Sequence, residues 1–496
     1  MLKKERLWPY PQKIEAAGEF KKPAGVNLIA DELPAFCRED FSVTTGIVLC
    51  DSIDAYKIRF LIDESCTDRQ QGYSLDLNPY KCIVKSGTSQ GLFYGFQTLL
   101  QILVQFKCAD NWSVLTITDY PKYNKRCFMV DMGRSAYNIT SLKRVVRILA
   151  RLKMNQLHLH LYDDELCGLQ FKATPFGYDN PYSITIEELA ELVDYSHSYY
   201  VEIVPELEAW GHVASLVYHK PELNGGAGMY SGASFLCTEK TFTVMRELIS
   251  QVVAVMPQKS TIHLGLDEAG WYLGEDMPAD FTPCDMVRRY YDILQDIAKK
   301  QNKEITLRIW ADHGGREVPK DIQHNVIVEP WDYWIQQAPS ITKKIEKYSS
   351  QKMRWMMGAG SSGGHFRGAY SATRYWCQNA VNSPNVDGVN ITMWLWNDLE
   401  RKIVSLFNGA YYAWNPLAES DFSHLDDTEA YDRIVYPIMY WWQSNFRDVF
   451  FDDIQRDRGP LVYFGYYLWG ENHGKPVSPT VTFADTRAGH DYLNEH

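Results

Sequence analysis

Eight short apolar runs, separated by amphipathic stretches, constrain this chain more than any other feature. The runs cover 127–132, 156–163, 201–207, 261–267, 305–311, 326–331, 353–358 and 389–396. Most are continuously apolar rather than apolar at every second position, as expected of parallel strands covered on both faces. The stretches between them repeat with helical periodicity. Leu142, Val145, Val146, Leu149 and Leu152 form one stripe in 141–154, and Val287, Tyr290, Tyr291, Leu294 and Ile297 form another in 286–300. Thr185 followed by Glu188 reads as a capping box opening the helix before the third run. Strand and helix in eightfold alternation predict an α/β fold, a (β/α)8 TIM barrel. Residues 312–323 contain Gly314-Gly315 and Pro319 and read as loop, so the helix after the fifth strand is expected to be short or absent.

Residues 1–120 follow another pattern. Short strands at 57–62 and 81–84 and a helical run at 91–105 predict a small α+β domain ahead of the barrel, with Asp119-Tyr120-Pro121 as the junction. The barrel is expected over 121–415. Residues 416–496, with an aromatic segment at 436–442, are expected to give a closing helix and a tail packed on the barrel. A net charge of −12 argues against nucleic acid or an anionic membrane as partner. The 10 cysteines form no CxxC pair and no zinc-spaced cluster with histidine, so they read as reduced, mostly buried thiols. The first 20 residues lack the apolar core of a signal peptide, and no run reaches the roughly 18 apolar residues of a membrane span. These features lead to the expectation of a cytoplasmic location. Nothing in the sequence excludes a homodimer in which a neighbouring subunit completes a pocket.

The chemistry concentrates where the strands end, the face on which barrel active sites lie. The first run delivers Asp131 and Arg134, the second Asp163, Asp164 and Glu165, and the third Glu206, Glu208 and His212. The fourth ends in Asp267 and Glu268, an adjacent acid pair after His263-Leu264-Gly265-Leu266. The fifth and sixth supply Trp310 and Trp331, and the eighth Trp394, Trp396 and Asp398. Acids are costly to desolvate at a strand end, so such a recurrence points to chemistry or to partner charges. Converging carboxylates within a ring of tryptophans suit a carbohydrate, whose hydroxyls bond the acids while indoles cover its apolar faces. Each residue also has a plainer reading. Asp131 reads as a structural ion-pair partner, Arg134 as a surface cation, each single tryptophan as core, His212 as a solvated loop residue and His263 as a buried, hydrogen-bonded histidine. Asp163, Asp164 and His212 could hold a metal ion, but histidine and cysteine are too sparse for a convincing site, and no metal or cofactor is expected.

Taken in order, these segments resemble the family-20 glycoside hydrolases, the exo-acting β-N-acetylhexosaminidases, over roughly residues 7–410. Trp8-Pro9-Tyr10-Pro11-Gln12 is similar to their opening. Gly72-Tyr73-Ser74-Leu75, Gly91-Leu92-Phe93-Tyr94-Gly95 and Gln97-Thr98-Leu99-Leu100-Gln101 resemble their small N-terminal domain. Asp131-Met132-Gly133-Arg134 resembles the D-x-x-R whose Arg binds sugar hydroxyls. His158-Leu159-His160-Leu161-Tyr162-Asp163-Asp164 resembles the second-strand signature, with Asp163 the functional acid. Pro205-Glu206 through Gly211-His212 resembles the third-strand segment, and His263-x-Gly265-x-Asp267-Glu268 the catalytic signature. The resemblance implies a retaining, substrate-assisted hydrolysis of terminal β-linked N-acetylhexosamine from a glycan or glycoconjugate. Glu268 would be general acid and then base, and Asp267 would hold the acetamide N–H while the acetamide oxygen attacks. Asp163 and His212 would pair beside Glu268, and Trp310, Trp331 and Trp394 would wall the acetamido pocket. Adjacent residues on a strand face opposite ways, so this division of labour needs the strand to break before the pair.

Two departures stand out. The family's acetamide-binding Tyr after the seventh strand is missing from 358–366, leaving Tyr370, Tyr333 or another group to fill the role. The eighth-strand W-x-[DE] could be Trp396 to Asp398, or Trp394 with the acid replaced by Trp396. Contacts at O4 distinguish the two epimeric sugars, so a preference for terminal N-acetylgalactosamine stays open. So do a non-catalytic sugar-binding barrel and a different glycosidase using Glu206 or Asp398 as its second carboxylate.

Overall fold

A computed structural model describes residues 2–446 apart from 67–69, 136, 181, 229–231, 312–316, 363–365, 395–398 and 419–434. Residues 361–362, 366–370, 399–404, 436 and 443 are described by their backbone only. The N-terminal part is a mixed six-stranded sheet in the spatial order Lys13–Lys21, Asn111–Asp119, Tyr73–Leu77, Lys81–Ser86, Tyr56–Ile62, Val26–Ala30. The helix Ser89–Gln105 packs on it, and the Thr88 hydroxyl caps that helix by accepting from the Gly91 N–H. This layer is bonded to the barrel by buried polar groups. Gln101 exchanges two 2.8 Å hydrogen bonds with the Trp8 backbone, the Trp8 indole donates to the Phe407 carbonyl, and Lys153 pairs with Asp119 at 3.1 Å.

The eight barrel strands are Lys125–Asp131, Gln156–His160, Glu202–Glu206, Lys259–His263, Glu304–Trp310, Val326–Glu329, Arg354–Ser362 and Val386–Trp394. They run parallel in chain order and close, the eighth pairing with the first. The second and fourth strands stop earlier than their apolar runs predict, at His160 and His263, so Asp163, Asp267 and Glu268 stand in the segments beyond. Helices cover the outside. Ile139–Arg151 is capped by Asn138, and Ile186–His197 carries the Thr185–Glu188 box with both reciprocal bonds formed. Pro283–Lys300 has a second box, Thr282 with Asp285. Among the described residues no helix follows the fifth strand beyond the short turn Gln323–Asn325. Leu399–Trp414 follows the eighth strand, and Tyr436–Asn445 packs Trp442 edge-on against Phe407 at 5.4 Å. The rest of the tail lies outside the described residues. All ten cysteines are free, and no described helix is long and apolar enough to cross a membrane.

The upper interior of the barrel is polar. His160 is in register with Glu206, and Glu206 with His263. His263 is level with Arg308, and Trp310 with Glu329. All six are fully buried. Inward side chains of a barrel stack in layers, so register alone gathers these groups beneath the C-terminal face.

Candidate active site

The acid pair reaches its place through an irregular exit. After His263 the backbone takes positive φ at Gly265 (62°), Leu266 (73°) and Glu268 (44°). For the two residues that carry side chains this geometry costs about 1–3 kcal/mol each, a strain that functional sites retain. Gly265 is required for a second reason: a Cβ there would lie 1.8 Å from the Glu208 Oε2. The turn removes the alternation a strand would impose. Asp267 and Glu268 consequently both approach one imidazole, with His212 Nε2 3.2 Å from Glu268 Oε2 and 3.9 Å from Asp267 Oδ2. Asp267 is 6% exposed and Glu268 is partly exposed.

His212, itself at φ 53°, is no solvated loop residue. Its Nδ1 lies 3.2 Å from both Asp163 Oδ1 and Asp164 Oδ2. Burial would lower its proton affinity, but Asp163 and the other carboxylates outweigh that and raise its pKa well above the ordinary histidine value. It is an imidazolium at neutral pH. Asp164, named in the sequence only as a strand-end acid and a metal candidate, shares His212 and accepts the Ala214 and Ala233 amides at 3.0 and 2.9 Å. It thereby ties the following loop to the site.

Arg134 is not a surface cation. Its guanidinium meets Asp131 at 3.0 Å, Asp163 at 2.7 Å and Glu165 at 3.2 Å, and it stands 5.8 Å over the Trp394 ring. Asp131 is the structural ion-pair partner its strand position predicts. Burial disfavours the Asp163 anion, but Arg134 and His212 more than offset it and hold that carboxyl well below the usual range. Glu165 goes the other way. Burial, reinforced by Asp163, Asp164 and Asp131 against the opposing Arg134, pushes it up to about 8, so this neighbour of three acids keeps its proton at pH 7.

The aromatic wall differs from expectation at one place. Trp310 has no exposed surface, and its indole donates to Glu206 Oε1 at 2.5 Å, so it backs the wall instead of facing a ligand. Trp394 packs on it at 5.5 Å and stands T-shaped to the His160 ring at 5.0 Å. Trp331 and Tyr333 stack at 5.4 Å, and the Trp394 indole donates to the Tyr333 hydroxyl at 2.7 Å. Burial holds the Tyr333 phenol well above its usual pKa, leaving it a protonated donor. Trp396 and Asp398 lie outside the described residues, as does the side chain of Tyr370.

Glu206, weighed as a second catalytic carboxylate, is fully buried among His158, His160, His263 and Trp310 and presents nothing to a ligand. That finding overturns its candidacy. Three groupings among the described residues bring metal-ligand atoms within 4.8 Å: His158 with Glu206 and His263, His160 with Glu206 and Glu208, and Asp163 with Asp164 and His212. In each a histidine nitrogen already lies 2.5–3.2 Å from a carboxylate of the same grouping. The participation of His158 and His160 had a signal in the sequence. His-x-His on a strand puts both rings on one face.

The charged histidines make stability depend on alkaline pH. Burial lowers His160, but Glu206 and Asp163 outweigh it and lift it to about 10. A folded pKa above the unfolded value of about 6.5 gives a stabilisation that is complete below that value and lost as pH rises towards the folded one. The melting temperature is therefore expected to fall steadily between about pH 7 and 10. A flat calorimetric profile across that window would contradict the charge assignment.

A closed (β/α)8 barrel with an acid pair, a caged imidazolium and an indole wall at its C-terminal face defines a protein of the carbohydrate-active class. Comparison with known proteins narrows it. The family model "Glycosyl hydrolase family 20, catalytic domain" matches residues 123–360, and "Glycosyl hydrolase family 20, domain 2" matches 4–120. The chain belongs to glycosyl hydrolase family 20. It is 28% identical to a beta-hexosaminidase of Akkermansia muciniphila over 45% of this chain and 50% of that one. It is 26% identical to a beta-hexosaminidase of Porphyromonas gingivalis over 42% and 29%. The chain thus spans half or less of the length of these relatives. The solved beta-N-acetylhexosaminidase of Bacteroides fragilis superposes with a TM-score of 0.68 at 19% identity, covering 90% of this chain and 96% of that one. That of Streptomyces coelicolor gives 0.68 at 20%, covering 88% and 97%.

Proposed function

We propose that this chain is a retaining, exo-acting β-N-acetylhexosaminidase that removes terminal β-linked GlcNAc or GalNAc by substrate assistance, without a cofactor. One observation carries the reading: two carboxylates adjacent in sequence are turned toward the same imidazolium. A retaining glycosidase with an enzymic nucleophile needs two carboxylates about 5–5.5 Å apart across the bond. Adjacent residues bearing on one imidazolium divide the work differently. Glu268 protonates the leaving oxygen and later takes a proton from water. Asp267 accepts the acetamide N–H, orients its oxygen toward the anomeric carbon and offsets the charge on the oxazolinium. Asp163 and His212 hold Glu268, Arg134 meets the sugar hydroxyls, and Trp331 and Trp394 cover the ring. Trp396 and Asp398 remain proposed ligand contacts.

Tyr333 is our choice for the acetamide oxygen donor, because its buried hydroxyl accepts from Trp394 and keeps its own proton. Tyr333→Phe should keep the stack on Trp331 and cost about tenfold in kcat/KM on N-acetylated substrates. An unchanged value removes this assignment.

The substrate assignment draws support from a solved β-N-acetylglucosaminidase of Vibrio harveyi, 18% identical to this chain, whose structure is in complex with N-acetylglucosamine. A non-catalytic sugar-binding barrel is the rival reading, although such a protein has no need of a general acid. The deciding experiment is a hydrolysis panel of β-GlcNAc, β-GalNAc and plain β-glucoside substrates, with the product anomer followed by NMR. Release of β-configured N-acetylhexosamine with no action on the glucoside supports the proposal. Binding without turnover supports the rival. The rates on the first two substrates decide whether GalNAc is preferred.

A further inference from the structure

Hydrogen bonds and an ion-pair contact beneath the pocket join in a file, with Asp164 as a side branch at His212 Nδ1. Glu206 Oε2 lies 2.5 Å from His160 Nδ1, and His160 Nε2 lies 2.7 Å from Asp163 Oδ2. Asp163 Oδ1 lies 3.2 Å from His212 Nδ1, and His212 Nε2 lies 3.2 Å from Glu268 Oε2. Anion and cation alternate along it, from a fully buried glutamate up to the acid at the pocket. Glu206 also touches a second branch. Its Oε1 is 3.0 Å from His263 Nδ1, the ring nitrogen that the Gly265 N–H meets at 2.9 Å. Gly265 opens the left-handed turn that carries Asp267 and Glu268.

We infer that Glu206 and His160 are positioning residues for the reaction: the Glu206–His160 ion pair fixes the Asp163 carboxylate, and through it the imidazolium that orients Glu268. This rests on the reading of Glu268 as general acid. The physical case is one of rotational freedom. Asp163 alone could turn either oxygen toward His212. With Oδ2 held by His160 and Oδ1 held by Arg134 at 2.7 Å, the carboxylate has one setting, and its Oδ1 meets His212 Nδ1 at 3.2 Å beside Asp164 Oδ2 at the same distance. Bidentate fixing of this kind is what pre-organises a proton donor. A neutral His160 has one N–H and can donate to Glu206 or to Asp163 but not to both, so the file needs the cation.

The groups facing His160 from every side are consistent with that charge. Glu206 faces it from the third strand, with Glu208 further along at 3.9 Å. Asp163 comes from the exit of its own strand and Asp131 from the end of the first strand. The Trp394 indole stands T-shaped to it at 5.0 Å from the eighth strand. Burial and the neighbouring Asp267 hold Glu208 well above the usual carboxylate range, so it keeps its proton and does not compete with Glu206 for the imidazolium. His158, the other ring on this strand face, is pushed by burial down to about 3 and stays neutral.

The test joins a spectrum of the unaltered protein to one variant. Proton–nitrogen correlation spectra of the 15N-histidine-labelled full chain at pH 7.5, with His160 identified through His160→Gln, should show His160 doubly protonated. In Glu206→Gln it should titrate near the ordinary histidine range. In kinetics Glu206→Gln should lose at least about tenfold more kcat/KM on a disaccharide ending in β-GlcNAc than on a dinitrophenyl β-GlcNAc, because only the poor leaving group depends on Glu268's proton. A neutral His160 in the unaltered protein overturns the proposal, whether or not the variant folds. Equal losses on the two substrates overturn it as well, since mere structural damage lowers both together. An unaltered protein that cleaves neither substrate removes the hydrolase reading instead, while the histidine spectrum still reports the ion pair.

Discussion

Replacing Glu268 by glutamine is expected to cut turnover of a disaccharide substrate by about a thousandfold or more while leaving sugar affinity near the unaltered value. Glutamine keeps the size of the side chain and an oxygen that can accept from His212 Nε2, which stands 3.2 Å from Glu268 Oε2. What it lacks is the proton. An amide can neither protonate the departing oxygen nor take a proton from the water that opens the oxazolinium, so both half-reactions fail together. The loss should shrink on a dinitrophenyl glycoside, whose leaving group departs as an anion without help. Affinity, measured by calorimetry with GlcNAc, should change little because the ring is gripped elsewhere. Near-normal turnover of the disaccharide in this variant would remove Glu268 from the chemistry.

The barrel could be read from the sequence because its signal is repeated. Eight apolar runs in alternation with amphipathic helices leave few architectures, and a single misjudged boundary does not disturb the count. Boundaries were less legible where function intervenes. The fourth apolar run continues through Leu264 and Leu266, but the backbone leaves the strand at His263 and turns left-handed at Gly265, Leu266 and Glu268. Periodicity carries no mark of such a turn, since Leu266 is apolar and buried whether it stands in a strand or out of one. The identity of the acids was legible, but their partners were not. That Asp164 would share His212, or that Glu165 would keep its proton beside Arg134, depends on distances across three strands. Trp310 shows the reverse error. Its place at a strand end suggested a ligand wall, whereas Glu206, its acceptor in the layer below, draws its indole inward.

Asp267→Asn is the second large effect expected, and its signature differs from that of Glu268→Gln. Asp267 is almost wholly buried, so its charge acts in a medium of low effective dielectric. An anion about 4 Å from the cation developing on the oxazolinium, at an effective dielectric of about 20, contributes about 4 kcal/mol, or roughly a thousandfold in rate. Asparagine can still accept the acetamide N–H through its oxygen, so substrate binding should weaken only modestly, but the charge is gone. The barrier that rises is the displacement in which the acetamide oxygen bonds to the anomeric carbon as the glycosidic C–O bond breaks, a step common to every leaving group. The loss should therefore be similar on dinitrophenyl and disaccharide substrates, where Glu268→Gln separates the two. A thiazoline mimic of the oxazolinium should lose affinity for Asp267→Asn by a comparable factor and keep it for Glu268→Gln. If Asp267→Asn instead spares the thiazoline, or hydrolyses the activated glycoside at the unaltered rate, then the residue does not steer the sugar's own amide, and the pair at the end of the fourth strand works by some other division of labour.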